Sequence, residues 1–146
     1  MPKEQLIQDL ANAYEQTITA AVDATQHGMT RKGDTWGPRE HIAHMAGWEI
    51  IATVRIPAIM AGMAPMEFTD ESQQEIMDNA INAAFATLIG DQSLDALCNI
   101  LRQAYRRNIE ILKELDDRFF QPGQYVYERS KGAIEHCQEH IEALAP

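Results

Sequence analysis

The sequence predicts an all-α protein, an up-and-down four-helix bundle with an additional short helix and a metal site between the second and last helices. Three observations carry this. Ala, Leu, Glu, Gln and Met dominate, and alternating β-branched runs bounded by turns are missing. Apolar residues recur at three- and four-residue steps in one segment after another. The chain holds five histidines, and three of them fall on inward faces of two such segments. Its 146 residues amount to one domain, expected to span 1–146, and a 45% hydrophobic content is enough to bury a core.

The first helix is expected from Lys3 to about His27, where Leu6, Leu10, Ala13, Tyr14, Ile18, Ala21 and Val22 make one buried face. His27-Gly28 ends it, and a polar linker from Thr30 to Thr35 follows. Pro38 suits the first turn of a second helix, with Glu40 three residues after Gly37 as in a weak capping box. That helix is expected to run to about Ala61, kinked or shortened by Pro57. Gly62 to Thr69, with Pro65, reads as a loop, and Thr69 or Asp70 caps a third helix from Glu71 to about Leu88. After Gly90-Asp91, Ser93 opens the longest clean stripe, Leu94, Leu97, Ile100, Leu101, Ala104, Tyr105, Ile109, Leu112 and Leu115, ending near Asp116. Arg118 to Arg129 reads as a loop whose aromatics Phe119, Phe120, Tyr125 and Tyr127 pack back on the bundle, the alternative being a mobile flap over a site. The last helix is expected from Ser130 to about Leu144.

Charge and cysteine usage exclude several classes. The net charge is −10 and no stretch gathers the basic residues, which argues against a nucleic-acid partner. Cys98 and Cys137 are too few for a disulfide framework, so a reducing, cytoplasmic setting is expected. The N-terminus has no apolar signal region, and the most apolar stretch, Met45 to Pro65, is interrupted by Glu49, Arg55 and Pro57, so no membrane span is expected.

The histidines give the chemistry. His136 and His140 are four apart on the last helix, about 6 Å along its axis, at the edge of its apolar face and away from Glu135, Gln138, Glu139 and Glu142. On the second helix His41, His44, Trp48, Ile51 and Arg55 follow a three-four stripe, with His44 beside the Trp48 indole. Three histidines pointing from two helices into one bundle favour a divalent metal, zinc, nickel or iron, with a position left open for water or substrate. His41, one turn before His44, either closes the site as a fourth ligand or faces solvent, the outward placement being the expectation. Cys137, about 100° from His136, is expected to pack. His136-Cys137-Gln138-Glu139-His140 also matches the inverted zincin pattern, but only six residues follow His140 where a further carboxylate ligand is needed. A ferritin-like di-iron site needs Glu-x-x-His, and no glutamate stands three residues before any histidine.

The stretch Trp36-Gly37-Pro38-Arg39-Glu40-His41-Ile42-Ala43-His44-Met45-Ala46-Gly47-Trp48-Glu49 resembles the second-helix signature W-[ST]-x-x-E-x-[IVL]-x-H-[LM]-x-x-W of the DinB-like (DinB/YfiT) superfamily of metal-binding four-helix bundles, and His136-x-x-x-His140 resembles its C-terminal pair. The resemblance covers nearly the whole chain in bundle order and length. By position it places the family's metal triad on His44, His136 and His140, with Gly37 departing from the usual Ser or Thr cap. Members of the superfamily include thiol-dependent transferases and isomerases, hydrolase-like proteins and detoxifying proteins. The resemblance therefore implies a metal-dependent hydrolase or small-thiol-dependent transferase acting on a small molecule, with a low-molecular-weight thiol as a candidate cofactor and a homodimer as the assembly. In such an enzyme Glu49 or Glu40 would serve as proton acceptor or partner to a ligand, or else be a solvated glutamate, since spacing fixes neither, and Trp48 would wall the pocket. Arg102, Arg106 and Arg107 would either recognise an acidic group or form an exposed helix face. A non-catalytic protein that binds and sequesters a small molecule is the alternative. Exposed Met63 and Met66 leave room for a third reading, an interaction module.

Overall fold

The apolar stripes become five helices: α1 (Pro2–Gln26), α2 (Pro38–Met60), α3 (Glu71–Ile89), α4 (Leu94–Lys113) and α5 (Tyr125–Leu144), with a 3₁₀ turn at Asp117–Phe120. The computed structural model describes residues 2–64 and 70–146. Pro65, Met66 and the cap candidate Thr69 lie outside the described residues. Among the described residues the only β-type pairing is a single bridge between Lys32 and Thr35, and no helix is long and apolar enough to cross a membrane.

Each helix end has a local cause. Gly28 stops α1 with φ +85°, a left-handed conformation open to glycine, and its N–H and that of Met29 bond back to Thr25 and Ala24 as in a Schellman motif. Gly37 caps α2 because nothing larger fits: a Cβ there would lie 2.5 Å from the Arg31 nitrogen. That crowding explains the missing Ser or Thr, and Glu40 supplies the other half of the cap by accepting the Gly37 N–H at 3.0 Å. α2 passes Pro57 and ends one turn later. Asp70 and Ser93 cap α3 and α4 by accepting the N–H groups of Ser72 and Ala96. α4 ends at Lys113, and the Lys3 ammonium of α1 donates to the carbonyls of Lys113 and Leu115 at that end.

Two expectations need correction. α5 begins at Tyr125, five residues before Ser130, so Tyr125, Tyr127 and Arg129 are helical and not part of a loop. The chain reverses earlier, at Pro122-Gly123, where Gly123 takes φ +89° and its N–H bonds Glu128 of the new helix. Phe120 is fully buried and Phe119 packs on the core, as the packing reading required. The additional helix is α3, and with 19 residues it is not short.

The core is built where α2 lies along α4 and α1 along α5. Leu10, Ile18, Ile42, Ile56, Leu97, Leu101 and Leu112 are among its buried side chains. α2 and α5 meet only thinly, which leaves a cleft between the two histidine-bearing helices. α3 has no fully buried residue and docks mainly on α2. The two run antiparallel, with Arg39 donating to the Gly90 carbonyl at one end and Trp48 donating to Asn82 further along. Gly47 sets their spacing, since a Cβ there would lie 2.2 Å from the Phe85 ring.

Candidate metal centre

His44 of α2 and His136 and His140 of α5 offer ligand nitrogens that all lie within 4.8 Å of one another. His136 Nε2 is 3.1 Å from His44 Nε2 and 2.9 Å from His140 Nε2. Metal–nitrogen bonds of about 2.1 Å put neighbouring nitrogens roughly 3.0 Å apart at a right angle and roughly 3.4 Å apart at a tetrahedral one. Both separations from His136 Nε2 fit nitrogens that share one ion.

The neighbours of His44 fix its ring hydrogen. The Trp48 indole can only donate, and its Nε1 lies 2.7 Å from Asn82 Oδ1. That atom is therefore the amide oxygen, and the His44 Nδ1 at 2.7 Å must donate to it as well. His44 is left with a bare Nε2 facing the other two rings. His140 makes its outer contact through Nδ1, 2.7 Å from His41 Nδ1, so with His140 as donor its Nε2 is bare too. In that tautomer two lone pairs converge on His136 Nε2, an arrangement that a divalent cation satisfies.

Burial keeps the rings neutral. It pushes His44 down to about 4, with help from His136 and against the pull of Asn82. His140 is driven down to about 2 by burial and by the His136, His44 and His41 rings. Burial also lowers His136 and His41. Neutral imidazole is the form that binds a metal.

Around the triad the structure corrects several expectations. His41 does not face solvent: it is half-buried and bonds His140, outside the cluster of three. Glu40 is occupied in the α2 cap and does not line the cleft. Glu49 is only 4% exposed, paired with Arg129 of α5 and held by the Asn108 amide at 3.0 Å. It lines the cleft as half of an ion pair. Trp48 walls the cleft as expected. Cys137 is buried outside the triad, its thiol pushed up to about 12 by burial. Arg102 pairs with Glu15, Arg107 with Glu110, and Arg106 lies over Tyr105, all away from the cleft.

The cleft has a volume of about 400 Å³ and opens on His44 and His136. Asn82, Asp78, Arg55, Tyr14, Tyr125 and Arg129 line it and were not legible as site residues beforehand. For Asn82 the available signal was its spacing on α3, where Asp78, Asn82 and Phe85, all half-buried, share one face. Comparison with protein-family models, curated proteins and solved structures finds no match to the chain.

Proposed function

We propose that the chain is a DinB-like metal-dependent enzyme on an up-and-down bundle, with His44, His136 and His140 holding one divalent metal and a small molecule bound in the adjoining cleft. The reaction class is hydrolysis or transfer of a small thiol. The observation that carries this reading is the convergence of three Nε2 atoms beside a cleft, that of His44 with its ring hydrogen held on the far side by Asn82. A bound zinc, nickel or iron ion supplies Lewis acidity that lowers the pKa of a water or thiol presented to it. The protein's own contribution is orientation: Asn82 holds His44 and Trp48 through one oxygen, and His41 holds His140. Trp48, Met45, Ile51 and Ala133 give the cleft apolar walls.

A metal held by only three protein nitrogens keeps an exchangeable position, which favours turnover over sequestration. A cytoplasmic setting is supported by two free, buried cysteines. A homodimer is the assembly proposed, supported by exposed Ile50, Val54, Ile76, Met77 and Leu88 on α2 and α3. Elemental analysis of protein purified without a histidine tag tests the reading. One metal per chain is expected in the parent, and His44→Ala or His136→Ala should abolish it. Unchanged stoichiometry in both variants would remove the triad assignment.

A further inference from the structure

The cleft has a second end. Arg55 of α2, Asp78 of α3 and Tyr125 of α5 line the same space as His44 and His136. Tyr125 lies eleven residues before His136 on α5, about 16 Å along the axis. On the other wall, the antiparallel register that joins Arg39 to Gly90 and Trp48 to Asn82 fixes the direction. Asp78 is one turn back from Asn82 and Arg55 two turns on from Trp48, so both lie on the side away from the triad.

Among the described residues, the charges at this end, Arg55 and Asp78, form no ion pair. Glu49 and Arg129 neutralise each other deeper in the wall. Arg55 holds its guanidinium 5.8 Å from the centre of the Trp48 ring, where the aromatic face orients the cation and leaves its N–H edge available. Asp78 accepts one hydrogen bond, from Gln74 through Oδ1. A simple anion would meet Asp78 and a simple cation would meet Arg55. A molecule bearing both charges on adjacent atoms suits both.

We propose that this end of the cleft recognises the zwitterionic end of a small molecule, an α-amino acid group or its close equivalent. Its carboxylate sits on Arg55 and its ammonium on Asp78, and the rest of the molecule runs along Ile51, Ala52 and Ala133 toward the triad. The inference rests on the reading of this cleft as the working site, and the volume of about 400 Å³ confines the occupant to a small molecule. Arg55 and Asp78 are then the residues that set specificity.

The test uses chelator-treated protein, so its outcome does not depend on metal binding. L-Norleucine, hexanoate and pentylamine share an alkyl chain and differ in the charged end. Each is titrated while amide NMR shifts are followed. Norleucine should bind on the order of tenfold more tightly than either singly charged analogue, the effect of one charge-assisted contact. Arg55→Gln should bring norleucine to the level of pentylamine without changing pentylamine, and Asp78→Asn should bring it to the level of hexanoate. Arg55→Lys keeps the charge and should retain most of the preference, a control that also serves if the glutamine variant misfolds. Equal affinity for the three probes, absence of binding included, overturns the proposal, as does an Arg55→Gln variant that weakens all three alike. Metal content reports on the triad separately.

Discussion

Asn82 concentrates the supporting geometry of the site in one atom, and Asn82→Ala removes it. Its Oδ1 accepts from His44 Nδ1 and from Trp48 Nε1, each at 2.7 Å. Without it the His44 ring loses the partner that keeps its hydrogen on Nδ1, so the tautomer with the hydrogen on Nε2, which cannot bind metal through that atom, becomes accessible. Loss of a partner of this kind costs about 10- to 100-fold in metal affinity, or roughly 1.4–2.7 kcal/mol. The assay is competition for zinc against a chromophoric chelator, on untagged parent and variant. Asn82→Asp discriminates tautomer control from a general loosening of α3, because a carboxylate accepts both hydrogen bonds and should keep the parent affinity or exceed it. An Asn82→Ala affinity within twofold of the parent would refute the reasoning, and so would an Asn82→Asp variant as weak as the alanine.

Gly47→Ala places a methyl group 2.2 Å from the Phe85 ring and should destabilise the protein by about 1–3 kcal/mol in urea unfolding, an effect that Phe85→Ala in the same chain partly relieves. Glu49→Gln leaves the Arg129 cation without its partner in a region where its side chain is only 15% exposed, and should cost about 3–5 kcal/mol by the same measurement. In chelator-treated protein, stability should fall below pH 6.5. Above it His44 and His140 are neutral in both states, whereas below it the unfolded chain takes up protons that the folded rings, held down at about 4 and about 2, refuse. At pH 5 that amounts to about 2 kcal/mol for each histidine, and replacing His140 with Gln should remove its share.

The helical stripes were legible because burial on one face imposes a period that survives in the letters, and α1 to α4 begin and end within a few residues of their expected bounds. The start of α5 was not, since Tyr125, Val126 and Tyr127 have the bulky and β-branched character of a loop or strand, and tertiary packing of Val126 into the core decides the matter. The triad was legible from the four-residue step of His136 and His140 and from the place of His44 on α2. Glu49 was readable in principle: it sits on the stripe Ile42, Met45, Ala46, Glu49, Ala52 and Ile56, all buried, as Asn108 sits among Leu101, Ala104, Tyr105 and Leu112 on α4. A polar residue on each of two apolar stripes implies a partner, and these two meet, the Asn108 amide donating to both the Glu49 carbonyl and its carboxylate. Spacing places Asn82 on one face of α3 with Asp78 and Phe85, but its contact with His44, like that of His41 with His140, depends on how whole helices lie against one another.

Extended X-ray absorption at the metal edge, on protein purified without a tag, addresses the triad most directly. Three imidazole nitrogens at about 2.0–2.1 Å are expected for zinc, with no sulfur in the shell. In His136→Ala the imidazole shell should be lost along with the metal. On protein dialysed free of small thiols, a scatterer at about 2.3 Å, the distance of a protein thiolate, or an unchanged imidazole shell in His136→Ala, would contradict a centre built from His44, His136 and His140.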